Sequence, residues 1–297
     1  MPISLWLRGQ EVGMPHRHTT TIKTKKVTDR YLTNSLKYMR IGLVLSGGGA
    51  RGIAHLGVIK ALQEMGIQFD QLAGTSAGSI TGALLAQGYT PDESLKIIES
   101  SSFMRHLRPA WNRMGLLRLD MVVDLYRKYI PHDSFEGLKI PLHVVAVDLN
   151  AGEQVVFEKG ELIRPVLASC CLPGIFEPML INKRQFVDGG VLNNLPVDVI
   201  ENKVDFLIGS HCNILGPRKP ITSMRGVIER SLVLAVQSKT RDRFVKCNVL
   251  IEPPQLSQYT TTDISKAREL FRIGYQYTRS MAPDISKALE RATLELS

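Results

Sequence analysis

The sequence contains no run of about 18 uninterrupted apolar residues, so nothing in it reads as a membrane-crossing helix. The stretch Ile3-Ser4-Leu5-Trp6-Leu7 is too short for a signal-peptide core and is ended by Arg8. Cysteine is scarce. Cys170, Cys171, Cys212 and Cys247 form no Cys-x-x-Cys pair, and no histidine spacing suits zinc, so reduced thiols in a cytosolic protein are the simplest reading and no metal site is expected. Internal repeats and low-complexity tracts are absent. Acidic residues are few at the start: residues 1–40 hold Arg8, Arg17, Lys23, Lys25, Lys26, Arg30, Lys37 and Arg40 against only Glu11 and Asp29. About two-thirds of the formal net charge of +9 therefore sits there, which argues against a nucleic-acid-binding face on the folded part.

What is present is ample for one large α/β domain: 297 residues, of which 44% are hydrophobic. Residues 1–38 are polar, basic and aperiodic, and are expected to form a disordered arm. The folded domain is expected over 39–297, with Met39 as an alternative start. Residues 40–46 form a short apolar run of the kind that makes a parallel strand buried on both faces. A helix is expected over 53–65, a strand over 69–73 and a helix over 79–87. Further strands are expected at 142–147, 154–157, 186–187 and 206–209, with helices at 91–101, 121–129, 162–168 and 197–201. Helical patterns follow at 227–244, 264–280 and 285–296. Alternation of this kind predicts a parallel sheet covered on both faces.

Three glycine-framed motifs stand out. Gly47-Gly48-Gly49-Ala50-Arg51-Gly52 can aim bare backbone N–H groups at an anion. Gly74-Thr75-Ser76-Ala77-Gly78 can hold a serine hydroxyl on a sharp strand-to-helix turn. Asp188-Gly189-Gly190 supplies a carboxylate followed by residues that let backbone or substrate approach closely. A serine hydroxyl needs a positioned base, and a tetrahedral intermediate needs donors fixed where its charge appears. The three motifs offer a nucleophile in Ser76, a base in Asp188 and an oxyanion hole in the glycine loop.

Two rival readings remain open on the residues alone. Gly47-x-Gly49-x-x-Gly52 is also the dinucleotide fingerprint, with Asp70 near the distance of a ribose-binding acid. That reading makes the chain a noncatalytic nucleotide or anion binder, although it leaves Ser76 and Asp188 without a role and no Walker lysine follows the loop. The second rival is an α/β-hydrolase triad, for which Ser76, Asp148 or Asp188, and His211 come in a suitable order. His55, early in the first helix, could orient the glycine loop. The segment 103–117 interleaves Phe103, Met104, Leu107, Trp111, Met114, Leu116 and Leu117 with Arg105, Arg108 and Arg113. It reads either as a lid or lipid-surface contact or as a connecting helix with a solvated basic face.

The ordered trio Gly-Gly-Gly-x-Arg-Gly, Gly-x-Ser-x-Gly and Asp-Gly-Gly resembles the patatin-like phospholipases, a family of serine lipid acyl hydrolases that includes relatives of neuropathy target esterase. The block Ala168-Ser169-Cys170-Cys171-Leu172-Pro173-Gly174-Ile175-Phe176-Glu177-Pro178 is similar to a further family block. The resemblance covers roughly residues 40–200. It implies a three-layer α/β/α fold with a mostly parallel central sheet. It further implies a Ser76–Asp188 dyad and an oxyanion hole from the backbone of Gly48, Gly49 and Arg51, supported by Gly47, Gly52, Gly74, Gly78, Gly189 and Gly190. A lipid or fatty-acyl ester as substrate, no cofactor, and a cytoplasmic location with peripheral contact at an anionic membrane complete the expectation.

Overall fold

The computed structural model of the chain describes residues 39–100, 108–109, 115–216, 220–222 and 224–296. The expected arm at 1–38 and most of the basic and aromatic segment around Trp111 lie outside the described residues. Ten strands are present among the described residues: β1 (Ile41–Leu45), β2 (Gln71–Thr75), β3 (Arg108–Pro109), β4 (Leu117–Arg118), β5 (Leu142–Asp148), β6 (Glu153–Phe157), β7 (Met179–Ile181), β8 (Arg184–Asp188), β9 (Phe206–Ser210) and β10 (Val249–Ile251). The helices are α1 (Ala54–Glu64), α2 (Ala77–Gln87), α3 (Pro91–Ser100), α4 (Asp120–Arg127), α5 (Ile163–Ala168), α6 (Met224–Phe244), α7 (Ala267–Ser280) and α8 (Ala282–Leu296).

The sheet runs β10-β9-β1-β2-β5-β8-β7, with β6 also paired to β5. From β10 to β5 every pairing is parallel, whereas β5–β6, β5–β8 and β7–β8 are antiparallel. β1 lies in the middle of the parallel part and is buried along its whole length, as a strand covered on both faces must be. Its alternate residues enter different cores. Leu43 and Leu45 join the large cluster with Val58, Ile59 and Leu62 of α1, while Val44 joins Leu195, Val197, Ile200 and Leu207 on the opposite face. Each fully buried leucine here is worth about 2–5 kcal/mol against truncation to alanine.

The second strand occupies Gln71–Thr75, two residues later than the apolar pattern suggests. The parallel register Gly42↔Gln71 to Leu45↔Gly74 sets this, and Asp70 accepts the Ile41 N–H at 2.7 Å just before the strand. At 197–201 the expected helix is a short 3-10 turn, Val197–Val199. The strands β7 and β10 have three residues each, too few for a readable period. In the basic and aromatic segment, Arg108–Pro109 pairs antiparallel with Leu117–Arg118, so those residues form a small ladder and not a helix. α3 opens on a reciprocal cap: Glu93 accepts from the Thr90 N–H at 2.8 Å, and Thr90 Oγ1 accepts from the Glu93 N–H at 3.2 Å.

Candidate active site

The register of β5 brings two of the three motifs together. Val145 pairs with Thr75, the last residue of β2, and the next residue, Ala146, pairs with Asp188, the last residue of β8. Ser76, just past the end of β2, and Asp188, at the end of β8, therefore flank the same stretch of β5 from its two sides. The packing tolerates no side chain after the aspartate: a β-carbon on Gly189 would stand 2.2 Å from the Val145 carbonyl oxygen.

Ser76 has φ 53 and ψ −124, a strained conformation for a residue with a side chain, of order 1–3 kcal/mol. The surroundings hold it there. Its N–H donates to Ser169 Oγ at 2.8 Å, and Ser169 donates in turn to the Val145 carbonyl at 2.6 Å. The Ser76 carbonyl accepts from the Ser79 N–H at 2.9 Å and hydroxyl at 2.6 Å. α2 begins at the next residue, so the hydroxyl stands at the carboxyl edge of the sheet, ahead of the helix.

Asp188 is buried, with 6% of its surface exposed. Burial raises its pKa to about 6, against the opposing pull of the Gly190 N–H and of the neighbouring Ser76 side chain. The Gly190 N–H donates to Asp188 Oδ1 at 2.7 Å, and the Asp188 N–H donates to the Cys171 carbonyl at 2.9 Å. The Cys170 thiol lies nearby, 4.0 Å from Ser79 Oγ. Burial first, then the charges of Asp188 and Cys171, push it well above an ordinary thiol pKa, which makes it a poor nucleophile.

The glycine loop leaves β1 at the same edge. Gly47 N–H donates to the Asn194 carbonyl at 3.1 Å and Ala50 N–H to the Thr261 carbonyl at 2.8 Å, whereas Gly48 N–H and Gly49 N–H find no acceptor among the described residues. The Arg51 side chain is fully buried behind the loop and donates to Asn213 Oδ1 and, at 3.3 Å, to the Ile214 carbonyl. His55 bonds to Ser210 Oγ at 2.7 Å and to the Ser46 carbonyl at 2.9 Å, bracing the end of β1 from which the loop springs. Cys212 lies directly under Gly48. Burial works to raise the Cys212 pKa, but the neighbouring His55 and Arg51 outweigh it and the net direction is down.

The model of the patatin-like phospholipase family matches residues 43–200, just over half of the chain. The chain belongs to that family. An uncharacterized NTE family protein of Mycobacterium tuberculosis is 37% identical over 160 residues, which is 53% of this chain and 44% of the relative. The lysophospholipase NTE1 of Kluyveromyces lactis is 27% identical over 285 residues, 83% of this chain and 19% of that protein. This chain thus spans less than half the length of these curated relatives. Among solved structures, VipD from Legionella pneumophila matches with a TM-score of 0.56 at 15% identity, covering 86% of this chain and 67% of that one. Human GIVD cytosolic phospholipase A2, solved with a methyl γ-linolenyl fluorophosphonate inhibitor, matches with a TM-score of 0.50 at 12% identity, covering 92% and 64%. These two establish a shared fold: mixed α/β with a mostly parallel central sheet.

Within this patatin-like fold the residues of the rival readings are engaged elsewhere. Asp70 caps the amino end of β1, while the glycine loop leaves its carboxyl end, so the two cannot bracket one dinucleotide. Asp148 forms an ion pair with Arg184 and accepts from the Asn150 and Ala151 amides at 2.9 and 3.1 Å. His211 is buried against Glu252, 2.7 Å from its Nδ1, and burial holds its pKa down. Three positions near Ser76 and Asp188 carry no separate signal in the sequence: Ser169, Cys170 and Asn194. The first two lie inside the block 168–178, where a polar pair next to an apolar helix was the available clue. Asn194 is a buried amide four residues past the Asp-Gly-Gly motif, next to the equally buried Asn193 among apolar residues.

Proposed function

We propose that the chain is a serine lipid acyl hydrolase acting on carboxylic esters of fatty acids, with phospholipids or lysophospholipids as the substrate class. One observation carries the reading: β5 brings Ser76, on its strained turn, beside the buried Asp188 carboxylate, next to two glycine-loop amides that have no acceptor among the described residues. In the proposed cycle Asp188 takes the Ser76 proton as Oγ attacks the acyl carbonyl. The Gly48 and Gly49 amides stabilise the oxyanion. The alcohol leaves with the proton held by Asp188, water then attacks the acyl-enzyme with Asp188 again as base, and the fatty acid departs. Every step uses side chains and amides of this chain, so the chemistry requires no cofactor.

No helix among the described residues is long and apolar enough to cross a membrane. A cytoplasmic protein touching an anionic lipid surface fits the basic excess of residues 1–40 and the exposed Met224, Val227, Ile228 and Leu234 of α6. The test is covalent labelling with a fluorophosphonate probe alongside a panel of soluble esters and phospholipids. Labelling at Ser76 with ester turnover is the expected result. A nucleotide or anion binder would take up neither, and that outcome would replace the hydrolase reading.

The glycine loop allows a second check. A β-carbon on Gly48 would stand 2.4 Å from the buried Cys212 Sγ, so Gly48→Ala must displace the loop and tilt an amide away from the oxyanion position. Loss of one such donor is expected to lower kcat about 10²–10³-fold with little change in KM, because the charge exists only in the transition state. A raised KM with kcat intact would assign the loop to ground-state phosphate binding instead.

A further inference from the structure

Asn194 sits where all three motifs meet. Its carbonyl accepts the Gly47 N–H at 3.1 Å, and the residue before it accepts from Thr75 Oγ1 at 2.9 Å and donates its N–H to the Gly189 carbonyl at 2.8 Å. Its side chain fills the gap between the glycine loop and the aspartate turn. Asn194 Oδ1 lies 2.5 Å from the point where a Gly47 β-carbon would stand, and Ser76 Cβ lies 3.1 Å from the same point. On the other side, Asn194 Oδ1 and Asp188 Oδ1 lie 3.0 and 2.9 Å from the position of a Gly190 β-carbon. The carboxamide is thus no further than about twice those distances from both the nucleophile and the base.

The chemistry of the site is unusual for a spacer. Asn194 is 95% buried, and its Nδ2 has no hydrogen-bond partner among the described residues. A buried donor left unsatisfied costs about 1–3 kcal/mol. A leucine of similar size would fill the same gap without that cost, so packing alone does not account for an amide here.

Resting on the acyl-hydrolase reading, we infer that Asn194 is a positioning residue of the reaction: its carboxamide fixes the spacing between the glycine-loop amides and the Ser76–Asp188 pair and sets the polarity around the base. The role is neutral in charge and tight in fit. A truncated side chain loosens the loop against the aspartate turn, and an isosteric carboxylate places a second negative charge beside Asp188. Like charges at that separation in a buried site raise the pKa of the base.

Three variants of the full chain test this: Asn194→Ala, Asn194→Leu and Asn194→Asp, read by kcat, KM, fluorophosphonate labelling rate and the pH profile on a soluble short-chain ester. Asn194→Ala and Asn194→Leu are expected to lower kcat and labelling rate about 10–100-fold with KM within threefold of wild type. Asn194→Asp is expected to move the acid limb of the kcat/KM profile upward by about one pH unit or more, which checks that residue 194 stands close enough to the base to act on it; the loss of kcat at unchanged KM in the other two is what a merely structural role would not produce. If the variants fold, label at the wild-type rate and keep the acid limb in place, the inference is wrong. Should Asn194→Asp fail to fold, the kcat and labelling rate of the other two decide the matter; should those two fail, the acid limb of Asn194→Asp decides it. A wild-type protein that neither labels nor turns over esters removes the acyl-hydrolase reading itself, and the role of Asn194 falls with it; an active wild type with indifferent variants removes only the role of Asn194.

Discussion

Ser76→Ala is expected to abolish fluorophosphonate labelling and to lower ester turnover by about 10⁴–10⁶-fold, with a melting temperature within a few degrees of wild type. The substitution removes one oxygen. The bonds that hold the elbow use the backbone of residue 76: its N–H to Ser169 Oγ and its carbonyl to Ser79. Alanine meets the same backbone strain at φ 53 as serine does, so the turn has no new reason to relax. Asp188 loses the neighbouring hydroxyl and keeps the Gly190 N–H. Whatever rate remains would come from the glycine-loop amides acting on a water-attacked ester, which is why a small residue above the uncatalysed reaction is compatible with the mechanism. Retention of a tenth or more of wild-type activity would show that Ser76 is not the nucleophile. Parallel loss of structure, measured by thermal melting, would make the variant uninformative on its own, and Ser76→Cys, which keeps a nucleophilic atom at the same place, then decides through its reactivity with thiol reagents.

Much of this site is legible in the linear sequence because each motif is local. A glycine on either side of Ser76 marks a turn whose backbone admits no side chains, and that constraint is written within five residues. The parallel half of the sheet is legible for a similar reason: β1, β2 and β9 are apolar runs followed by glycine-rich or polar turns. The convergence of the motifs is not local. Asp188 meets Ser76 because β5 carries β2 on Val145 and β8 on Ala146, and the antiparallel half that makes this possible includes the three-residue strand β7. Nothing in a run of three residues distinguishes a strand from a loop. Asn194 was invisible for a different reason, since a buried amide in a turn reads as a surface residue until the loop that covers it is known. The two-residue displacement of β2 follows the same logic: the hydrophobic pattern marks which residues are buried, while pairing with β1 decides where the strand ends.

Asp188→Asn is expected to lower kcat about 10²–10⁴-fold and, at the same time, to make the protein more stable at neutral pH. The first effect follows from removing the base while keeping its shape, since Asn can still accept the Gly190 N–H. The second follows from the pKa of about 6 that burial imposes on this carboxyl. In the unfolded chain an aspartate titrates near 3.9, so between about 4 and 6 the folded state holds the proton and the unfolded state does not. Stability from this group is therefore greatest below pH 4 and declines as pH rises to about 6, above which the full penalty of a buried charge applies. That penalty is of the order of 2–3 kcal/mol at pH 7. Asparagine carries none of it. The stability difference between variant and wild type should be near zero at pH 4, grow through pH 5 and level off above 6. The activity of the wild type should mirror it, rising through about pH 6 as Asp188 ionises and becomes able to accept the Ser76 proton. His211→Ala supplies the control, because His211 is engaged with Glu252 and should leave the acid limb in place. If His211→Ala is as damaging as Asp188→Asn, a histidine triad operates and the dyad is wrong. If Asp188→Asn instead destabilises the protein equally at pH 4 and pH 7, Asp188 is held in the folded state as a structural carboxylate with an ordinary pKa, and burial has not prepared it as a base.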